Sequence, residues 1–326
     1  MKNTRKIESG VALISVLLLV VIVTVLSVSM IQNQNFAIHQ IRNSYDFTQT
    51  NLYALGGEEL ARQILWQDFQ DSPGIDHLNE EWAEKNHYFE FEDGEIAINI
   101  IDLQSKFNIN SLILEGDFGR EARRRFGKLL LLSGLDTMYL DRLIDWMDDD
   151  GITRALGAED YDYLGLATPY RTSGQLFTDV TELSLILDMD FSSFEQIRNS
   201  LSALPELNTP LNINTSDLIV LKTILPASSG EVDNSLVRVQ ESHGAFNSVD
   251  EFLQASPISR SGIKATGLSV QSNFFEVQIR VRYGDRIGYL TSMIQRGNNG
   301  SIHVISRNHS RKIFPINDSA DQKAKS

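Results

Sequence analysis

Residues 11–31 read VALISVLLLVVIVTVLSVSMI and follow the polar leader MKNTRKIESG of residues 1–10. No charged side chain interrupts those 21 residues. Their polar members are Ser15, Thr24, Ser27 and Ser29. Such hydroxyls can bond back to a carbonyl one turn earlier in the same helix. At 1.5 Å per residue the run is long enough to cross a hydrocarbon core of roughly 30 Å. The first element is therefore a membrane-spanning helix, and everything else hangs from it. Lys2, Arg5 and Lys6 precede the apolar run, and acidic residues dominate after it. The positive-inside rule then places the leader in the cytoplasm and the body on the opposite side.

A cleaved secretory signal has an apolar region of about 7–15 residues and a small-residue cleavage site after it. Here the run is longer and continues as SMIQNQNFAIHQ (29–40), without such a site. A plain N-terminal anchor is one reading. Gly10 supplies another. A polar leader that ends in Gly before an unbroken apolar helix resembles a type III (prepilin) signal. That signal would be cut between Gly10 and Val11, and the apolar helix would stay on the mature chain. Most pilins and pseudopilins carry Glu at the fifth mature position, where this chain has Ser15.

The chain has 326 residues, enough for one large or two small cores beyond the helix. It contains no cysteine. That excludes disulfides, Cys-ligated zinc and a thiol nucleophile. The formal net charge is −14, and a body this acidic repels phosphate backbones and attracts cations.

Past the membrane the helix is expected to continue. Residues 32–70 contain no Pro. Phe36, Ile38, Ile41, Tyr45, Phe47, Leu52, Leu55, Leu60, Ile64 and Leu65 recur nearer to helical than to alternating spacing. Gly56-Gly57 is a weak point. A helix from Val11 to about Asp68 is some 58 residues and about 87 Å long. Its last third, with apolar positions at Leu52, Leu55, Leu60 and Ile64, needs a partner surface. The sequence DSPG at 71–74 ends it.

Alternation in HYFEFEDGEIAINIID (87–102) predicts strands at about 87–92 and 95–102, joined at Asp93-Gly94. Three more strands are predicted at about 274–283, 286–296 and 301–307. Between the two groups, helices are predicted at about 120–133, 137–149, 179–187, 192–201, 216–225, 233–242 and 249–254. Short hairpins are marginal alone. The economical fold is therefore α+β. One antiparallel sheet, built from residues 71–109 and 270–316, packs on the last third of the helix. A large all-helical insert, residues 110–269, interrupts it. The tail at 317–326 is polar and expected to be disordered.

Three stretches carry chemistry. The first is DWMDDDGITRALGAEDYDYL (145–164), which places Asp145, Asp148, Asp149, Asp150, Glu159, Asp160 and Asp162 within 18 residues. Crowded carboxylates repel unless a cation offsets them, and Ca²⁺ takes 6–8 oxygens from such groups and from loop carbonyls. The alternative is a solvated acidic helix end, although acid at a helix C-terminus opposes the dipole. The spacing is not that of an EF-hand. Carboxylate pairs also serve glycoside hydrolysis, but no aromatic platform beyond Trp146 and nearby tyrosines accompanies them.

The second is an echo. KFNINSLI (106–113) and LNINTSDLIVL (211–221) share N-I-N-[ST], suited to helix N-capping. With HGAFNSVDEFL (243–253), the second copy resembles helix-hairpin-helix DNA-binding units. Its hairpin lacks the usual glycines and carries Glu231 and Asp233 where phosphate would come. A packing unit without DNA affinity is expected. The third is a basic cluster of Arg296, Arg307, Arg311 and Lys312 with His303 and His309, read as solvated strand ends. No P-loop, G-x-S-x-G or H-E-x-x-H occurs.

Taken in order, the leader ending at Gly10, K-F-N-I-N at 106–110, D-W-M-D at 145–148, G-A-E-D-Y-D-Y at 157–163, Y-R at 170–171, E-L at 182–183 and N-I-N-T at 212–215 resemble protein K of the type II secretion system, a family of minor pseudopilins. The match runs from Gly10 to about Leu253. Members of that family also lack the fifth-position Glu, so Ser15 fits. The resemblance implies a pseudopilin-like fold and a non-enzymatic role at the tip of a short pseudopilus. There the protein would help to initiate assembly and export folded proteins across the outer membrane. It implies a single pass of the inner membrane with the body in the periplasm. Prepilin peptidase would cut after Gly10 and methylate Val11. Implied partners are minor pseudopilins I and J and the inner-membrane assembly platform, with the major pseudopilin and secreted substrates as further contacts. No nucleic acid is expected.

In GspK-like proteins calcium binds in the helical insert. The matching positions are Asp148, Asp150, Glu159 and Asp160, with Asp145, Asp149 and Asp162 as further candidates. Two alternatives stand beside this reading: a type IV pilus minor pilin, and a membrane-anchored DNA receptor.

Overall fold

The computed structural model describes residues 4–85, 87–225, 244–255 and 262–310. The expected helix at 233–242, the hairpin acids Glu231 and Asp233, the bases Arg311 and Lys312, and the tail lie outside those residues. Helix α1 runs unbroken from Thr4 to Asp71, 68 residues or about 100 Å. Its apolar start is long and hydrophobic enough to cross a membrane, with a mean hydropathy of 3.2.

Gly56-Gly57 does not break the helix. A Cβ on Gly57 would stand 3.1 Å from Ile279 Cγ2 and 3.2 Å from Ile96 Cγ2. The missing side chain is what lets the helix lie close on the sheet. The face α1 buries is narrow: Thr50, Ala54, Gly57, Glu58, Ala61 and Leu65. The expected contact positions Leu52 and Leu55 instead point outward. Glycine and alanine set the approach distance, and bulkier leucines at the same register would hold the layers apart.

The sheet is a five-stranded antiparallel meander in the order β1-β2-β7-β8-β9. Its strands are β1 (His87–Phe91), β2 (Gly94–Asp102), β7 (Phe274–Tyr283), β8 (Arg286–Arg296) and β9 (Ile302–Asn308). Ile96, Ile98 and Ile100 alternate with Phe275, Val277, Ile279 and Val281 toward α1. The register pairs Gly94 with Tyr283 and Asp102 with Phe275. The chain therefore leaves the sheet at Asp102 and returns on the neighbouring strand beside its exit.

The strands run along α1. Near one end of the sheet Arg286 reaches the Asn43 carbonyl. At the other, Arg296 reaches Asp68, in the last turn of the helix. The insert therefore hangs from the sheet end nearest the C-terminus of α1, far from the apolar run of residues 11–31.

Among the described residues the insert has two cores rather than one continuous helical body. In the first, α2 (Gly116–Leu132), α3 (Met138–Met147), α4 (Asp160–Leu164) and α5 (Phe191–Ile197) enclose Phe126, Leu129, Leu130, Leu143 and Tyr163. The second contains α6 (Leu218–Ile224) and the helix Val249–Gln254 around Leu221, Ile224 and Phe252. The helix expected at 179–187 is a 3-10 turn, Val180–Leu185.

Each core is closed by a two-residue parallel pairing that periodicity does not reveal. β3 (Phe107–Asn108) pairs with β4 (Leu201–Ser202), and β5 (Leu211–Asn212) pairs with β6 (Leu268–Ser269). The N-I-N echo marks these closures. Asn110 accepts from Phe177 N and donates to the Phe177 and Leu204 carbonyls, all at 2.9 Å. Asn214 repeats the clasp on Phe246, accepting at 2.9 Å and donating at 3.0 Å. The preceding Asn108 and Asn212 turn their carboxamide oxygens onto the N–H two residues on. The two copies are thus one structural device used twice.

Two basic stretches have internal duties. Arg124 donates to the carbonyls of Thr223, Ile224 and Leu225, and Lys128 donates to Leu225. They satisfy the open C-terminus of α6. Arg296 is not a solvated strand end. It is 2 % exposed, pairs with Asp68 at 3.0 Å and with Asp76, and donates to the Ser272 carbonyl. Arg307 pairs with the buried Glu58 at 2.7 Å. His303 and His309 are exposed.

Candidate metal centre

The acidic stretch folds as a helix end, an exposed loop and a return. Leu143, Ile144, Trp146 and Met147 anchor the last turn of α3 in the first insert core. Asp145 is carried inward with them and is fully buried. Asp148 then turns into extended backbone and ends the helix. Residues 149–156 are exposed. The chain returns through Gly157, Ala158 and Glu159, where α4 begins. A Cβ on Gly157 would fall 1.7 Å from Asp145 Oδ2. Only glycine lets the returning chain lie against that carboxylate. Trp146 supplies the floor, meeting Tyr163 edge-on at 5.3 Å and Phe177 at 6.5 Å.

Three of the seven acids converge. Asp145, Asp148 and Glu159 each offer an oxygen within 4.8 Å of the others. Oxygens bound to one Ca²⁺ at 2.3–2.6 Å stand at most about 5.2 Å apart, so the spacing suits a shared cation. Asp145 Oδ1, Asp148 Oδ1 and Glu159 Oε1 are buried and receive no hydrogen bond. Three convergent carboxylates with buried oxygens that receive no hydrogen bond are the donor set a hard divalent cation takes.

Burial raises Asp145 and Asp148 above the ordinary carboxylate range. Glu159 is pushed up to about 7, first by burial and then by the neighbouring charges of Asp145, Asp148, Asp150 and Asp160. The local cation is Arg154, from the exposed loop. Its Nε stands 3.2 Å from Asp145 Oδ1, and its Nη2 is 3.0 Å from Asp148 Oδ2. Its backbone N–H donates to Asp145 Oδ2 at 3.0 Å.

The other acids serve the loop. Asp150 is exposed and accepts from Ile152 N at 2.8 Å. Asp149 is exposed. Asp162 accepts from Glu159 N at 3.0 Å and so starts α4. Asp160 turns away to Arg171 and to the N–H and hydroxyl of Thr172; desolvation pushes its pKa up, but these contacts together outweigh it and lower the pKa. Asp145 is therefore central rather than peripheral, while Asp150 and Asp160 lie outside the convergent trio. The sequence signal for this was the apolar surroundings: Leu143, Ile144, Trp146 and Met147 are all buried with Asp145, so the last turn of α3 is enclosed on every side.

A family profile described as type II secretion system (T2SS), protein K, matches residues 105–206, the stretch that holds this centre. Type II secretion system protein K of Pseudomonas aeruginosa is 34% identical over 325 residues, covering 96% of each chain. The chain belongs to the type II secretion system protein K family. The protein K of Klebsiella pneumoniae is 30% identical over 302 residues and covers 89% of this chain, and that of Aeromonas hydrophila is 27% identical over 320 residues. The fold also matches a solved chain of the GspK–GspI–GspJ complex from enterotoxigenic Escherichia coli, with a TM-score of 0.73 at 22% identity over 84% of this chain and all of the other. A protein K chain has the long helix, meander and insert described above, and its work lies in type II secretion. Membership replaces the type IV pilus and DNA-receptor alternatives.

Proposed function

We propose that this protein K is the minor pseudopilin at the tip of the type II secretion pseudopilus. It seeds assembly with minor pseudopilins I and J in the inner membrane and serves export of folded proteins across the outer membrane. Its role is organisational, not catalytic. The observation that carries this reading is the division of α1. From Val11 to Leu55 it presents apolar side chains outward, including Phe36 at 71% and Ile41 at 69% exposure well past the membrane-spanning run. That stripe calls for neighbouring helices. At the opposite end the sheet and the two-core insert crown the helix, so no further subunit stacks beyond it.

The leader reading belongs to the same proposal. Prepilin peptidase cuts between Gly10 and Val11 and methylates the new amine, and the body stands in the periplasm. The Ser15 hydroxyl donates to its own helix at Val11 O, 3.0 Å away. It therefore brings no negative charge to a neighbouring subunit's amine. The assembly platform, the major pseudopilin and secreted cargo complete the proposed contacts.

Asp145, Asp148 and Glu159 would hold Ca²⁺, with loop carbonyls completing the shell. The ion supplies positive charge that lets the three acids stay ionised. The chain's own part is to tie the end of α3 to the start of α4. Intact-mass measurement of the membrane-extracted chain tests the start, and any N-terminus other than methylated Val11 refutes it. Co-purification of the full chain with minor pseudopilins I and J tests the tip role, which a stable absence of complex would end. Calcium should raise the Tm of the detergent-solubilised chain; an unchanged Tm at millimolar Ca²⁺ removes the metal.

A further inference from the structure

The acidic centre already contains a positive group, and it stands where it would compete. Asp145 and Glu159 are fixed by burial, at 0% and 7% exposure. Arg154 is different. It comes from a loop whose side chains face water, and its own side chain is 42% exposed. Its guanidinium makes one hydrogen bond in the centre, Nη2 to Asp148 Oδ2 at 3.0 Å. Its Nε approaches Asp145 Oδ1 to 3.2 Å without donating to it. The guanidinium thus supplies charge but leaves Asp145 Oδ1, Asp148 Oδ1 and Glu159 Oε1 unsatisfied.

We propose that Arg154 is a resident counter-charge that a divalent cation displaces from Asp145 and Asp148. The inference rests on the cation site proposed above. A cation bound through Asp145 Oδ1 would stand within a few ångströms of Nε, and two positive charges at that distance repel. Asp145 and Glu159 are buried while the arginine side chain is partly in water, so the arginine moves. The backbone tether from Arg154 N to Asp145 Oδ2 does not use the side chain, so the loop keeps its path while the guanidinium swings out. A fixed local cation lowers the affinity for the ion and also spares the empty centre the repulsion of three bare carboxylates. Arg154 is therefore a positioning residue. It sets the Ca²⁺ concentration at which the centre fills.

The test is calorimetric titration of Ca²⁺ into the detergent-solubilised full chain, with Tm read alongside, for wild type, Arg154→Gln and Arg154→Lys. Arg154→Gln should bind Ca²⁺ about tenfold more tightly, a difference of about 1.4 kcal/mol. It should melt lower than wild type without Ca²⁺ and equal to it with saturating Ca²⁺. Arg154→Lys keeps the charge but cannot span both carboxylates, and should fall between. It carries the comparison if the glutamine variant does not fold. Binding by Arg154→Gln alone, with none by wild type, would also support the displacement. Equal or weaker binding by Arg154→Gln, with wild type binding normally, overturns it while leaving the site intact. Failure of wild type and both variants to bind ends both the site and the inference.

Discussion

Replacing Arg296 by Met is expected to be among the most damaging single changes in the chain, although the residue lies outside the acidic cluster of Asp145, Asp148 and Glu159. The guanidinium is 2% exposed and lies over the rings of Phe69 and Phe275, 5.6 and 4.9 Å from their centroids. It joins three segments: Asp68 at the end of α1, Asp76 in the following loop, and the Ser272 carbonyl before β7. Methionine fills much of the volume but leaves two carboxylates buried without their cation. Breaking a buried pair from one side costs about 3–5 kcal/mol.

The two acids then behave differently. Burial, with Glu80 and Asp76 nearby, already pushes Asp68 up to about 7, so it can escape by taking a proton. Asp76 keeps the Ser272 N–H at 2.7 Å. The loss should therefore be largest at pH 8 and smaller at pH 5. In a chain this size about 3 kcal/mol corresponds to a Tm drop on the order of 10 °C. The assay is thermal unfolding of the full chain in detergent, followed by Trp fluorescence. Trp82 meets Phe275 edge-on at 5.3 Å and reports on this region. A drop below about 2 °C at pH 8, or one independent of pH, would refute the assignment of the cost to stranded carboxylates.

Other expectations follow from single contacts. Gly57→Val should lose about 1–3 kcal/mol by overpacking against Ile96 and Ile279. Gly56→Ala, with nothing within 4 Å of its new Cβ, should gain about 0.5–1 kcal/mol, as measured by urea unfolding. Asn110→Ala should cost about 3 kcal/mol and Asn214→Ala about 2 kcal/mol, because each strands buried backbone groups. Hydrogen exchange should localise the first loss near Phe177 and the second near Phe246; spreading of either across both cores would contradict two separate clasps. Wild-type stability should fall as pH rises from 5 to 8. Asp68 and Asp102 titrate in the fold at about 7 and about 6, above their ordinary 3.8. The folded state therefore binds more protons than the unfolded chain between those limits. A melting temperature that climbs over that interval would reverse the sign.

The fold class was legible because its signals are periodic and local. Residues 11–31 carry no charged side chain and lie in one helix long enough to cross a membrane, and alternation at 96–100 and 275–281 names the strand faces. The helix face on the sheet was not legible in the same way. Counting large apolar residues selected Leu52 and Leu55, but close packing there is set by Ala54, Gly57 and Ala61. The two-residue pairings β3–β4 and β5–β6 are too short to leave a period, and their only trace was the repeated N-I-N. In residues 145–164 the density of carboxylates marked the stretch where Asp145, Asp148 and Glu159 converge. Density cannot say which acids face inward. That depends on the enclosure of the whole last turn of α3 for Asp145 and on Gly157 for the return of Glu159. Arg296 was misplaced for a related reason. A base at a strand end reads as surface unless its distant partners, Asp68 and Asp76, are known to meet it.

Those same misplaced residues bear on how a tip subunit could transmit load. The insert is attached through adjacent strand ends, leaving at Asp102 and returning at Phe274. Asp102 there accepts from the Ser272 and Thr215 hydroxyls, and Asn212 donates to the Ser272 hydroxyl at 2.8 Å. Ser272 N–H in turn binds Asp76, and Arg296 joins Asp76 to Asp68 on α1. A continuous buried polar chain therefore runs from the second insert core to the last turn of the long helix. Apolar contacts alone are non-directional and would let the insert pivot about its two strand ends. Directional, buried hydrogen bonds fix its orientation, because any rotation strands a polar group out of water. An insert held in this way moves with α1 as one unit, so a force on the insert passes into the long helix.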